Sequence, residues 1–228
     1  MTVEAQQLKD VSPNQLGQAL LSIYPESVLS EWFKKFAWGS CSHEESVKTR
    51  QELVDIGQAL SNNEDHVVNF FNTVKRWGFN NQEIDSDLRG DADFRSSCLS
   101  LFEAWRGESN TKKIETMGNL MSFPGMGIAN VSKFTAMTDP VFGAIYDSRV
   151  SIALRPITYK DKVFFPTVGR RKTLSKPHYN ASVMTQKQNR FKLAERYLLF
   201  LQMLSHVCSQ TGFARNSDIE MSLFMIGD

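Results

Sequence analysis

Cysteine is scarce in this chain and scattered. Cys41, Cys98 and Cys208 are its three cysteines, far apart and odd in number, with no C-x-x-C pair. That spacing argues against a disulfide framework and for a reduced, intracellular setting. Histidine is as thin: His43, His66, His178 and His206 show no metal-ligand spacing, so no metal and no cofactor is expected. No apolar run approaches the ~20 residues that span a bilayer, so a membrane is not an expected partner. Met1 to Gln7 holds neither a basic nor an apolar signal region, and a cytoplasmic location is expected. There is no tandem repeat and no low-complexity tract. Charge of one sign is missing too: 26 basic residues face 25 acidic ones, for a net charge of +1, which is unlike a generic nucleic-acid binder.

The charge that is present is unevenly placed. Ten basic residues and one acid lie between Arg155 and Lys192, so that segment carries +9 and the remainder −8. A local stretch of this kind suits phosphate contacts, and a solvated loop is the plainer reading. Arg170, Arg171 and Lys172 form its densest run. Elsewhere nearly every periodic segment has the three-and-four spacing of a helix. The pattern runs over 14–23, 26–36, 63–78, 91–106, 111–121 and 187–209. Ser42-His43-Glu44-Glu45 reads as a capping box opening a further helix to about Leu60. A last helix is expected from about Ser217, as N-cap, to Met225. The fold class predicted is all-α, with about nine helices. Phe70, Phe71, Trp77, Phe102 and Trp105 recur at helical spacing and are expected in the core. The exception is 156–185, which has Pro156, Pro166, Gly169 and Pro177 and the β-like run Lys162-Val163-Phe164-Phe165. A loop of this length is often functional, and a short hairpin is expected within it.

One stretch carries chemistry. Phe123-Pro124-Gly125-Met126-Gly127 separates the helix at 111–121 from one that starts near Ile128. The two glycines permit a tight turn and a close approach by another surface. The first amides of the following helix have no intrahelical partner and sit at the positive end of its dipole, so a DNA phosphate would satisfy both; an ordinary helix–glycine–helix corner, as bundles often have, is the plainer reading. Asp147 follows 22 residues after Gly125, in Ile145-Tyr146-Asp147-Ser148-Arg149-Val150, at the head of a third helix. There it can serve as an N-cap.

On these residues, roughly 111 to 155, the chain resembles the helix-hairpin-helix glycosylase superfamily, the endonuclease III-like enzymes that excise damaged bases from DNA. The resemblance implies a two-lobed helix-hairpin-helix fold with a DNA-binding cleft between lobes. Residues 1–228 would then form one domain: hairpin and catalytic segment 111–155, basic loop 156–186 and C-terminal helices 187–228. It implies double-stranded DNA as partner and Asp147 as the catalytic carboxylate, which stabilises the positive charge that develops on deoxyribose as the glycosidic bond breaks. Phe123, Gly125, Met126 and Gly127 would meet the phosphates, with Arg149, Arg170, Arg171 and Lys172 as further contacts. Arg149 is also placed to pair with Asp147.

The chain departs from the family pattern. The lysine nucleophile of bifunctional members lies two residues after the second hairpin glycine, where this chain has Ala129. Hydrolysis by water, without strand cleavage, is therefore the simpler expectation. Lys133, one turn on and on the same face, is either a displaced nucleophile or a phosphate contact. Many members hold an iron–sulfur cluster with four closely spaced C-terminal cysteines; here only Cys208 lies in that region, so no cluster is expected. Ser148-Arg149 after the aspartate is a further difference. Phe79-Asn80-Asn81-Gln82, after Gly78, is the best candidate for a strand-probing loop, since Asn and Gln reach base edges and Phe can intercalate. A non-catalytic DNA-binding module, acting in a repair or phage-defence system, and a helical protein–protein scaffold are the rival expectations.

Overall fold

Side-chain caps fix most helix starts, and the computed structural model describes them over residues 11–159, 162–168 and 189–227. Ser12 closes a capping box with Gln15 to start α1 (Pro13–Ile23). Pro25 leads into α2 (Glu26–Lys34), and Ser42 closes the box expected of it with Glu45 to start α3 (His43–Ala59). Asn63 caps α4 (Glu64–Gly78), Asp85 the short α5 (Ser86–Gly90), Asp91 α6 (Ala92–Trp105) and Ser109 α7 (Asn110–Leu120). Each satisfies an amide that the helix itself cannot. α8 (Ile128–Thr138) begins on Gly127 with no capping side chain, whereas α9 (Ser148–Ala153) is capped by Asp147. α10 (Arg190–Gln210) and α11 (Asn216–Ile226) follow. The described residues are all-α, with one minor addition among them inside the region expected to hold a hairpin. There β1 (Thr158–Tyr159) pairs antiparallel with β2 (Lys162–Val163), Thr158 opposite Val163.

α5 was not legible as a separate helix. α11 starts one residue before the expected cap, because Asn216 is used differently. Its buried Nδ2 donates to Phe142 O at 2.7 Å and Leu201 O at 2.9 Å, tying α11 to α10 and to the turn after α8.

The buried apolar residues form one continuous cluster, and α8 runs through it. α3, α4 and α6 pack against α8; α11 packs against α2, α9 and α10; α7 lies between α6 and α10. Phe134 of α8 meets Phe70, Phe71 and Phe102 from α4 and α6. Polar residues of α8 are buried along with apolar ones, among them Ser132, Lys133, Thr135 and Thr138. The turn 143–147 is pinned onto this helix. Tyr197 Oη donates to Ala144 O at 2.7 Å, and Tyr146 N donates to Ser132 Oγ at 2.9 Å. Asp147 is thus delivered to a fixed place beside α8. Among the described residues, no helix is long and apolar enough to cross a membrane.

Candidate active site

The hairpin has the form its glycines suggest. Gly125 adopts φ +72°, in the left-handed region that L side chains rarely enter. Gly127 has an ordinary φ of −78°, and a Cβ built on it meets nothing within 4 Å. Among the described residues, nothing packs where a side chain at Gly127 would begin. Pro124, Gly125 and Gly127 are exposed, and Asn130 Nδ2 braces the turn by donating to Gly125 O at 2.8 Å. The other two expected contacts point inward. The Met126 side chain is buried, and Phe123 is half-buried, packing edge-on against Phe94.

Lys133 departs most from expectation. It is 2 % exposed, which excludes a phosphate contact in this conformation. Helical side chains lean toward the N-terminus, and Lys133 follows that rule. Its Nζ returns one turn to donate to Ala129 O at 3.4 Å. The amine therefore sits beside the position where the family pattern expects its nucleophile. Room for the stem is left by Gly78, where a Cβ would lie 2.7 Å from Lys133 Cε and closer still to Cδ. The amine lies 4.4 Å from the Phe79 ring centroid and 5.8 Å from that of Trp38.

Asp147 completes the pair. Its Oδ1 accepts the N–H groups of Arg149 at 3.0 Å and Val150 at 3.2 Å, so the expected N-cap exists. Its Oδ2 faces Lys133 Nζ at 3.9 Å, an ion-pair distance too long for a hydrogen bond. Burial drives the Lys133 pKa down, against the opposing pull of Asp147 and Glu220, and Arg50 pushes the same way as burial. Desolvation favours the neutral, nucleophilic amine and the neighbouring carboxylate favours the protonated one, with burial the larger influence.

In front of Asp147 lies a pocket of about 740 Å³, within the size range of small-molecule sites. Its apolar walls are Trp38, Trp77, Phe79 and Phe224; Ser148 and Arg149 line it beside Asp147. Trp38 is stacked between Trp77, at 4.7 Å between centroids, and Phe224, at 5.0 Å. The Arg149 guanidinium lies 4.4 Å above Phe224. Trp77, expected in the core, is thus a half-buried pocket wall, while Trp105, Phe70, Phe71 and Phe102 are buried as expected.

The loop picked out as a strand probe forms another wall, through Phe79, Asn80, Asn81 and Gln82. Asn80 and Asn81 are exposed and take φ of 51° and 63° in succession. Asparagine tolerates this region better than other side chains. Asn81 N donates to Arg76 O at 2.8 Å, and buried Asn72 holds Ile84 N at 2.7 Å, so the loop is anchored at both ends.

Sequence reasoning missed Trp38, Phe224 and two buried charges, Arg50 and Glu220. A signal for Glu220 was present: it is a lone carboxylate in the apolar run Ile219 to Ile226. Lys133 stands out in the same way between Val131 and Met137. Arg170, Arg171 and Lys172 lie outside the described residues, as does His178. Among the described residues no cluster of three or more His, Cys, Asp or Glu could hold a metal ion. Compared with known proteins, the chain matches no family model, no curated protein and no solved structure.

Proposed function

We propose that the protein is a DNA base glycosylase: it binds double-stranded DNA, flips a modified base into the pocket and breaks its N-glycosidic bond. The observation that carries this reading is the buried Lys133–Asp147 couple, of which Asp147 lines an aromatic-walled pocket and Lys133 lies behind the Phe79 wall of that pocket. In this reading the cleft of a two-lobed helix-hairpin-helix fold is the pocket, with Gly125 and Gly127 on the phosphates. Base flipping costs a few kcal/mol of unstacking, which a stacking wall and phosphate contacts offset.

The geometry favours an amine over water as the attacking group, a change from the hydrolytic expectation that Ala129 suggested. The neutral Lys133 amine adds at C1′ of the deoxyribose. The C1′–N bond breaks, the electron pair leaves with the base, and the base takes up a proton. Ring opening, in which O4′ takes up a proton as the C1′–O4′ bond breaks, leaves an imine between Lys133 and C1′, and water then hydrolyses it to free the lysine and an abasic sugar. Asp147 stabilises the positive charge on the sugar and accepts the proton that the amine gives up. Because Lys133 is covered by the Phe79 ring, the sugar reaches the amine when the 79–82 loop shifts. Contact of Asn80 and Asn81 with DNA and uncovering of the nucleophile are then one event.

The test is excision from duplexes carrying a panel of oxidised, alkylated and deaminated bases. Wild type releases at least one of them, and Asp147→Asn binds the same duplex as well or better with excision lower by roughly 10²–10⁴. DNA binding without release of any base would favour the non-catalytic module, for which the Asp147 cap is the supporting observation.

A further inference from the structure

Behind the Lys133–Asp147 couple lies a second buried pair that the reaction does not touch. Arg50 of α3 and Glu220 of α11 are 5 % and 1 % exposed. Arg50 Nη2 donates to Glu220 Oε2 in a short, direct contact. The same oxygen accepts Ile145 N at 3.2 Å, two residues before Asp147. We propose that Arg50 and Glu220 act as a positioning and charge-balancing pair for Lys133 and Asp147. Glu220 holds the turn that carries Asp147, and Arg50 cancels the charge of Glu220 at the amine. This rests on the reading of Lys133 as nucleophile.

Two arguments support it. A buried ion pair is a poor device for stability, since an apolar pair of similar size often does as well or better. Its presence here calls for another role. The surroundings of the amine supply one. The charged groups acting on Lys133 are Asp147 from the turn before α9, Glu220 from α11 and Arg50 from α3. α4 and the segments around it meet the amine with Gly78, Phe79 and Trp38, and α6 meets α8 through rings, Phe102 against Phe134. Glu220 favours the protonated amine and Arg50 disfavours it. With both present their effects oppose, and Asp147 is left as the unbalanced partner of Lys133.

The test is the titration of Lys133 in the full chain, followed by the 13Cε signal of labelled lysine and assigned by its loss in Lys133→Met. Glu220→Gln keeps an oxygen for Ile145 N–H but leaves Arg50 unbalanced. The amine should titrate at lower pH, with the free-amine fraction at a fixed pH below the midpoint up by roughly tenfold, the effect of one charge at close range. Removing Arg50 as well, in Glu220→Gln/Arg50→Gln, should bring that fraction back to within about twofold of wild type, and Arg50→Lys should leave it there. Should Glu220→Gln alone not fold, Glu220→Asp replaces it: the shorter carboxylate draws back from Ile145, and kcat for excision should fall about tenfold at unchanged KM. An unmoved titration in Glu220→Gln, a shift that persists or grows in the double variant, or unchanged kcat in Glu220→Asp would overturn the proposal. The titration needs no DNA, so inactive protein with the expected titration would count against the glycosylase reading alone.

Discussion

The two buried ion pairs beside α8 are built differently. Arg50 and Glu220 touch directly and Glu220 also accepts a backbone amide, whereas Lys133 and Asp147 stand 3.9 Å apart, the lysine held by a long bond to Ala129 O. A tight pair locks both charges in place. A loose one leaves the amine short of compensation in a dry site, where burial makes losing its proton easier. The first arrangement suits an anchor and the second a reactive group.

The largest expected effect comes from breaking the loose pair. Lys133→Met should lower base excision by roughly 10²–10⁴ and should also cost some stability, because it strips the nearly buried Asp147 of its charge partner. The pH dependence of stability should change too. With its pKa lowered in the fold, Lys133 binds a proton more readily in the unfolded chain. Wild-type stability should therefore gain on the variant as pH rises from the lowered pKa toward 10.5. Denaturant unfolding of both proteins from pH 7 to 10 checks this.

Breaking the tight pair should act more strongly on stability. Arg50→Met strands a buried carboxylate and should cost about 3–5 kcal/mol of stability. Burial already pushes the Glu220 carboxyl up, with Arg50 opposing. Without Arg50 it should hold its proton to still higher pH, so the loss should be smallest in acid and grow as pH rises through the carboxylate range. Calorimetry at pH 5 and pH 8 reads the difference.

A smaller effect sharpens the contrast without removing a charge. Gly78→Ala puts a methyl where the Lys133 stem passes. Excision should fall about ten- to a hundredfold through misplacement of the amine, with DNA affinity retained and little change in melting. Smallest is Gly127→Val, open around its Cβ. It should weaken duplex binding by roughly tenfold, and the log–log salt slope should flatten by about 0.9 for each phosphate that the hairpin no longer reaches. Unaltered affinity and slope would remove the hairpin from the DNA surface.

The helices were legible because their caps are side chains: Ser42 with Glu45, Asn63 and Asp147 are visible in the sequence and occupy those roles in the structure. Asp147 and the 79–82 loop were legible as site candidates from position and residue type. The depth of Lys133 was not. Periodicity reports burial when a helix has a wet face, but α8 is buried on nearly every side, so its polar residues carry no phase. α11 hides Glu220 for the same reason. Arg50 was obscured because α3 is otherwise a surface helix rich in exposed charge. Trp38 and Phe224 come together with Trp77 across segments far apart in the chain, which no local pattern records.

The central claim is that the buried amine of Lys133 is the attacking group, and borohydride trapping tests it most directly. The full chain is incubated with a duplex carrying one abasic site, whose aldehyde forms the same imine, and then reduced. The expected result is a covalent protein–DNA adduct in wild type that disappears in Lys133→Met, with duplex binding by that variant unchanged. Base excision without any trapped adduct, or an adduct that persists in Lys133→Met, would contradict it.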